Sequence, residues 1–123
     1  MIEIKITIDS ALTLLLERMN LELKIRQRDM MVPKGLRIEN LPYKQLLPIV
    51  EASIFDTVFL LPVELVAQET NLINIITGTV RALSRILHQE EFKFFSSQQA
   101  FRLIQPIINH LQLHIENKNF QNN

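Results

Sequence analysis

The sequence predicts a mainly α-helical domain, a compact bundle of four to five helices with one possible short N-terminal β-strand. Only two glycines occur in 123 residues, which disfavours the tight turns of hairpin-rich β folds. Apolar residues recur at helical spacing after Tyr43, and the length is that of one ordinary domain. Such a chain can bury roughly two thirds of its unfolded surface, so it needs no disulfide or structural metal.

Composition excludes several classes of function. The chain has no cysteine, which excludes a disulfide scaffold, a thiolate zinc site, an iron–sulfur cluster and a cysteine nucleophile. Its 13 basic and 13 acidic side chains cancel, which argues against a protein that coats nucleic acid or an anionic membrane through bulk charge. The first residues do not have the pattern of a secretory signal, and we expect a cytoplasmic protein.

We expect a single domain over residues 1–123, divided into four parts. These are an N-terminal arm of strand plus helix (1–30), a connector (31–42), a helical body (43–116) and a frayed polar tail (117–123). The apolar stretch 46–67 contains three carboxylates and two prolines, so we interpret it as core and expect no membrane insertion.

The arm combines two patterns. Four isoleucines in residues 2–8 alternate with polar residues, which favours a short strand. Asp9 and Ser10 can then cap a helix that begins at about residue 10. Residues 20–28 alternate like a strand but consist mostly of helix-forming residues, and we favour helix there.

Prolines and capping side chains indicate the helices of the body. Pro48 fits the first turn of a helix over about 49–60, and Pro62 fits the start of the next one. Ser96 or Ser97 can cap a last helix to about residue 116, in which Pro106 should cause a kink or a break. Asn71 or Thr70 can cap a third helix of the body, which runs to about His88. This third helix should pack on the last one through Leu72, Ile76, Val80 and Leu83 against Ile104, Ile108 and Leu111.

Two features of the body concern packing partners. Glu51 and Asp56 fall inside the apolar stretch. We expect them either to form ion pairs with Arg81 and Arg85 of the third helix or to lie at a solvated edge, and the functional alternative is an acid–base group in a pocket. Gly78 on the same helix costs about 1 kcal/mol relative to alanine. A glycine at this place indicates close approach of another backbone.

Apolar surface in excess of what one core needs indicates an interface with another protein. If the helix that begins at about residue 10 continues through residues 20–28 and beyond, its broad apolar face comprises Leu12, Leu15, Leu16, Met19, Leu23 and Met30, and a second face comprises Leu14, Leu21 and Ile25. A helix with two apolar faces needs two partners, of which the core is one. An unpaired strand at 2–8 could pair with its copy in a homodimer. Three aromatics in residues 92–95 need cover from a helix or a partner. The candidate partner or dimer interface is Ile2, Ile4, Ile6, Leu14, Leu21, Ile25, Phe92, Phe94 and Phe95.

Segment 18–37 supports a nucleic-acid alternative. It carries six basic and two acidic side chains, a local excess of four positive charges. The side chains that would neutralise phosphates are Lys24, Arg26, Arg28, Lys34 and Arg37. The same charges are typical of a solvated helix face with pairs four residues apart, such as Glu22 with Arg26.

No pattern in the sequence supplies a complete catalytic site. A glycine-rich phosphate loop, a nucleophile elbow and an acidic metal loop are missing, so we expect neither enzyme activity nor a cofactor. His110 and His114 have the spacing of two metal ligands on a helix, without the carboxylate that a catalytic zinc helix carries after its first histidine. The sequence therefore predicts a small non-catalytic protein that acts by protein–protein interaction as an adaptor, assembly factor or regulatory subunit and self-associates. A nucleic-acid-binding regulator is the alternative, and a metal-dependent enzyme comes third.

Overall fold

The structure, a computed structural model, describes the backbone of residues 2–61 and 68–121 and the side chains of residues 8–61 and 68–110. Within these residues the fold is all-α, as predicted. The α-helices are α1 (Ile2–Arg28), α2 (Tyr43–Phe59), α3 (Glu69–Ile86) and α4 (Ser97–Gln121), and two 3₁₀ helices span Ile38–Asn40 and Glu90–Phe94. The helix predicted to begin at Pro62 falls outside the described residues.

The four described α-helices surround one core. Helix α1 lies between α2 and α3, and α4 closes the arrangement by packing against α3 and, less extensively, against α2. The second 3₁₀ helix packs on α3. The largest completely buried side chains are Phe92, Phe95, Leu15, Met19, Leu41, Leu46, Ile49, Ile54, Leu72, Ile76, Leu83 and Ile104.

Helix α1 begins at Ile2, so the strand predicted for residues 2–8 is wrong. A strand needs a neighbouring strand, and the described part of the chain contains none. A β-branched residue loses less than about 0.7 kcal/mol in a helix relative to alanine, so isoleucines can extend a helix that is already formed. The favoured helix over residues 20–28 is confirmed. Residues 2–8 therefore do not form the strand through which the predicted homodimer would pair.

The predicted interface roles of Ile2, Ile4 and Ile6 stay predictions. The backbone of these three residues is helical, and their side chains lie outside the described residues.

Pro48 lies inside a helix and not at its start, and Pro106 lies inside the last helix, as predicted, without breaking it. Helix α2 begins at Tyr43, ahead of Pro48, and α4 continues through Pro106 to Gln121 rather than ending near residue 116. Both prolines are exposed. The carbonyl groups that lose an amide partner belong to the residues one turn earlier, which are also exposed, so water can replace the missing donor.

The start of α4 confirms one of the predicted caps. The hydroxyl oxygen of Ser96 accepts a hydrogen bond from the Gln99 amide N at 3.1 Å. Gln99 Oε1 in turn accepts one from the Ser96 amide N at 3.0 Å. This reciprocal pair is a capping box, which satisfies two amides at the helix end and fixes where α4 leaves the preceding loop.

The predicted apolar stripe of α3 is buried. Leu72, Ile76, Val80 and Leu83 are each at most 1% exposed, and Ile104 and Ile108 of α4 belong to the same core. Helices α3 and α4 are in contact, as their apolar stripes predict. The side chain of Leu111 lies outside the described residues.

Leu83→Ala tests this core. Leu83 is completely buried, so the truncation removes apolar contacts and leaves a cavity. We expect a loss of about 2–5 kcal/mol in the free energy of unfolding, measured by urea denaturation. Ile86→Ala is the matched control on the same helix, because Ile86 is 44% exposed, and it should cost less than about 1 kcal/mol. Equal losses at the two positions would contradict the assigned core.

Gly78 lies where α1 meets α3. A Cβ atom added at Gly78 would lie 2.7 Å from Ile8 Cδ1. That distance is far shorter than the roughly 3.5–4.0 Å of carbon atoms in favourable contact. The close neighbour is therefore the end of an isoleucine side chain and not the second backbone that the sequence indicated.

Gly78→Ala and Ile8→Val should be energetically coupled. Alanine favours the helix by about 1 kcal/mol relative to glycine, but in the unmodified chain it must displace Ile8 Cδ1. Ile8→Val removes that atom, so Gly78→Ala should be more stabilising in the Ile8→Val background. A double-mutant cycle by chemical denaturation measures the coupling, and additivity within about 0.3 kcal/mol would refute the contact.

Candidate interaction surface

Leu21 and Ile25 lie on the outer face of α1, where they are 49% and 43% exposed. They are four residues apart and are therefore neighbours on the helix surface. The buried row of α1 occupies the opposite side and comprises Ala11, Leu15, Met19 and Leu23. Leu14, the third residue predicted for the outer face, is instead half-buried against the core. The second apolar face thus exists, and its exposed part lies near the end of α1.

Helix α1 ends in a strained corner. Met30 has a φ of 62°, a left-handed conformation that costs a residue other than glycine roughly 1–2 kcal/mol. The Met30 amide donates to Gln27 O at 3.2 Å, and the Met31 amide donates to Arg26 O at 2.8 Å. These are the two bonds of a Schellman motif, in which glycine is the usual residue at the position of Met30. The sequence predicts Met30 on the core face of this helix. It lies instead beyond the end of the helix.

The loop after this corner is tied back to α1. The side-chain amide of Gln27 donates to Pro33 O at 3.0 Å and to Leu36 O at 2.9 Å. Met30 and Met31 are nevertheless 87% and 64% exposed. We name the set Leu21, Ile25, Met30 and Met31 the methionine surface. Its backbone is held by hydrogen bonds, so its side chains are presented from a fixed support.

The methionine surface belongs to a cationic part of the chain. Arg26 pairs with Glu22 at 3.0 Å, as predicted, and the exposed Arg28 pairs with Asp29 at 3.3 Å. The ion pairs of the described residues leave four cations of segment 18–37 without a carboxylate, namely Arg18, Lys24, Lys34 and Arg37. Among the nucleic-acid candidates, Lys24, Arg28, Lys34 and Arg37 are exposed and Arg26 is partly buried.

The aromatic segment 92–95 separates into core and surface. Phe92 and Phe95 are buried in the chain's own core, so their predicted place in a partner interface is wrong. Phe92 packs edge-on against Tyr43 with ring centroids 5.0 Å apart. Phe94 is 81% exposed and is the one of the three that a partner can reach.

Of the alternatives expected for the acidic residues of α2, the solvated edge is the one that the described residues show. Glu51 and Asp56 are exposed, and the described residues contain no ion pair between them and Arg81 or Arg85. Arg81 Nε instead donates to the carbonyl oxygen of Phe95 at 2.7 Å. The guanidinium therefore holds the loop before α4 in place, and the two carboxylates remain in solvent.

Sequence reasoning missed a second exposed apolar surface, formed by α2 and the residue that follows it. Phe55, Phe59 and Leu60 are 44%, 41% and 48% exposed, and we name them the phenylalanine surface. The rings of Phe55 and Phe59 have centroids 4.8 Å apart. Glu51 and Asp56 lie one turn before Phe55 and Phe59, respectively. The sequence predicts that the whole apolar stretch 46–67 belongs to the core. The structure shows that Phe55 and Phe59 are not on the buried face of α2.

His110 packs edge-on against Phe59, with ring centroids 5.6 Å apart. The side chain of His114 lies outside the described residues, so a metal site with both histidines stays a prediction. Among the side chains that are described, no three from His, Cys, Asp and Glu gather as a metal site would require.

A shallow cleft of about 150 Å³ lies between α2 and α4 and is lined by Leu47, Glu51, Phe95, Gln99, Arg102 and Leu103. Gln99 is already bonded within its capping box. The remaining polar groups are one exposed carboxylate and one exposed guanidinium, which do not form an acid–base or nucleophilic pair. The cleft therefore offers no recognisable catalytic arrangement.

Comparisons of this chain with known protein families, with curated protein sequences and with solved structures find no match. None of the helices in the described residues has the length and apolar character needed to cross a membrane. The two exposed apolar surfaces and the charges around them are the features of the described residues that bear on function.

Tyr43 provides a spectroscopic test of the packing at the start of α2. Burial, and then repulsion from the carboxylates of Glu91 and Glu51, raises the pKa of the Tyr43 hydroxyl above its ordinary value. The chain has one tyrosine and no tryptophan, so ultraviolet absorbance follows this group alone. We expect a higher titration midpoint in the folded chain than in denaturant.

The raised pKa also has a consequence for stability. The folded chain keeps the phenol proton to higher pH than the unfolded chain, so this contribution is complete below a pH of about 10 and is lost as pH rises through the folded pKa. Glu91→Gln should lower the folded midpoint, and Glu69→Gln, at an exposed site on α3, should leave it unchanged. Equal midpoints in the folded and unfolded chains would contradict this environment.

Proposed function

We propose that this chain is a non-catalytic protein-interaction module, an adaptor, assembly factor or regulatory subunit, whose partner docks on the methionine surface. One observation carries the proposal: four large apolar side chains, between 43% and 87% exposed, project from a backbone held by hydrogen bonds. Covering them removes apolar area from water, which is the main favourable term in most protein association.

The side chains of this surface suit docking. Leu21 and Ile25 are spaced as anchors for a helix that lies along α1. Met30 and Met31 are unbranched and polarisable, so they adapt to the shape of a partner at small cost. The backbone after α1 is already held by hydrogen bonds. Binding therefore restricts mainly the side chains, and it costs little additional backbone entropy. The cations of segment 18–37 would favour a partner that carries acidic residues.

Nucleic-acid binding is the second candidate, favoured by the four cations that have no carboxylate partner in the described residues. Phosphates would neutralise Lys24 and Lys34 but would leave Met30 and Met31 uncovered. A Lys24→Ala and Lys34→Ala variant separates the candidates. Loss of a steeply salt-dependent complex with DNA or RNA in this variant would support the second candidate over the first.

Affinity capture from the native source tests the proposed function. The immobilised chains are the unmodified protein, the double variant Leu21→Ser with Ile25→Ser, and the control variant Ile86→Ser. Ile86 is as exposed as Ile25 but lies on α3. We expect a protein that both the unmodified chain and Ile86→Ser retain and that the double variant loses at least tenfold, which is about 1.4 kcal/mol of binding.

Thermal unfolding provides the control for this experiment. Thermal unfolding must give similar midpoints for the three chains, because all substituted side chains are exposed and contribute little to the core. If every captured protein binds the double variant as well as the unmodified chain, the methionine surface is not the docking site and the proposed function fails in this form.

A further inference from the structure

We propose that Met30 and Met31 form a reversible oxidation site, at which a hydroperoxide converts both thioethers to sulfoxides and so prevents docking on the methionine surface. The inference rests on the proposed function, since it names a regulation of the same surface. Met30 and Met31 are 87% and 64% exposed, and neither belongs to the core. Side chains this exposed leave their sulfur atoms open to a small oxidant dissolved in water.

The composition of the chain directs an oxidant to these two sulfur atoms. Cysteine thiolates are usually the first protein groups to react with a peroxide, and this chain has no cysteine. Of its four methionines, Met19 is completely buried in α1, and the side chain of Met1 lies outside the described residues. Among the described side chains, Met30 and Met31 are therefore the thioethers that solvent reaches.

The reaction is a two-electron transfer of oxygen. A lone pair of the thioether sulfur attacks one oxygen of hydrogen peroxide, so that an S–O bond forms and the O–O bond breaks. The other oxygen leaves as hydroxide and takes the proton of the transferred hydroxyl group, which gives water. The sulfur is thereby oxidised to a sulfoxide, and the peroxide is reduced. A methionine sulfoxide reductase reverses this step with a dithiol, which becomes a disulfide while the sulfoxide oxygen leaves as water.

A sulfoxide opposes docking without disturbing the fold. Oxidation converts a flexible apolar side chain into a polar one. A partner that covers a sulfoxide has to remove water from its oxygen, which costs free energy unless a new hydrogen bond replaces that water. The amides of Met30 and Met31 donate to Gln27 O and Arg26 O, and these bonds do not involve the thioethers. The corner should therefore keep its shape while its surface becomes polar.

Peptide-resolved mass spectrometry of the full chain tests the oxidation site. The folded chain is treated with hydrogen peroxide, and oxygen addition is followed at each methionine. We expect Met19 to react at least about tenfold more slowly than Met30 and Met31, because a buried sulfur is reached only when the structure opens. The same treatment in denaturant should remove this difference. Rates within about twofold of one another in the folded chain would overturn the inference.

Hydrophobic interaction chromatography measures the change in the surface without any partner. The oxidised chain should elute earlier than the untreated chain and keep its midpoint of thermal unfolding. The variant Met30→Leu with Met31→Leu conserves side-chain volume but removes both sulfur atoms, so peroxide should no longer cause most of this shift. Met19→Leu is the matched control and should shift like the unmodified chain. A full shift in the double variant, or a lower unfolding midpoint of the oxidised unmodified chain, would contradict the proposed site.

Affinity capture connects the oxidation site to docking. A protein whose capture depends on Leu21 and Ile25 should be retained about tenfold less by the oxidised chain, because the sulfoxides must be desolvated. Sulfoxide reductases for both sulfoxide epimers, with a dithiol, should restore its capture. Equal capture before and after oxidation would overturn the regulation and leave the proposed function in place. If instead no captured protein depends on Leu21 and Ile25, the proposed function fails and the regulation fails with it, whereas the oxidation rates of Met30 and Met31 still decide the site.

Discussion

The buried row of α1 is the contact on which the rest of the structure depends. Ala11, Leu15, Met19 and Leu23 are at most 5% exposed, and α1 packs on both α2 and α3. Because one row serves two neighbours, the rotation of α1 about its axis is fixed by both of them at once. That rotation places Leu21 and Ile25 on the side away from the core. Leu21 and Ile25 are exposed because α1 uses its other side to pack against both α2 and α3.

The strained corner at Met30 depends on the same packing. Leu23 near the end of α1 and Val32 after the corner are both buried, so the chain must reverse within a few residues between two anchored points. The Schellman bonds and the Gln27 side chain satisfy carbonyl groups through this reversal. These interactions offset the cost of a methionine in a conformation suited to glycine. Strain of this kind persists only where the surroundings impose it, and here it places two apolar side chains in solvent.

Sequence patterns predict those features whose physics is local. The capping box at Ser96, the Glu22–Arg26 pair and the buried stripe of α3 all follow from spacings within one helix. Features that depend on a distant partner are not predictable in this way. The isoleucines of residues 2–8 alternate as a strand would, but only the tertiary fold determines whether a second strand exists. Among the described residues, Arg81 binds the carbonyl oxygen of Phe95 and no carboxylate, because the loop before α4 approaches it.

The candidate surfaces show the same division. Leu21 and Ile25 follow from helical spacing, whereas Phe55 and Phe59 sit in an apolar stretch whose exposed side depends on where α1 and α4 contact α2. The net charge of the chain is zero, and this value does not reveal how the charges are distributed over its surface. The fold gathers cations near the end of α1 and leaves two carboxylates on the outer face of α2. Exposed charges that are separated in this way favour contact with surfaces of opposite charge, so the distribution of charge and not its sum decides which contacts are favoured.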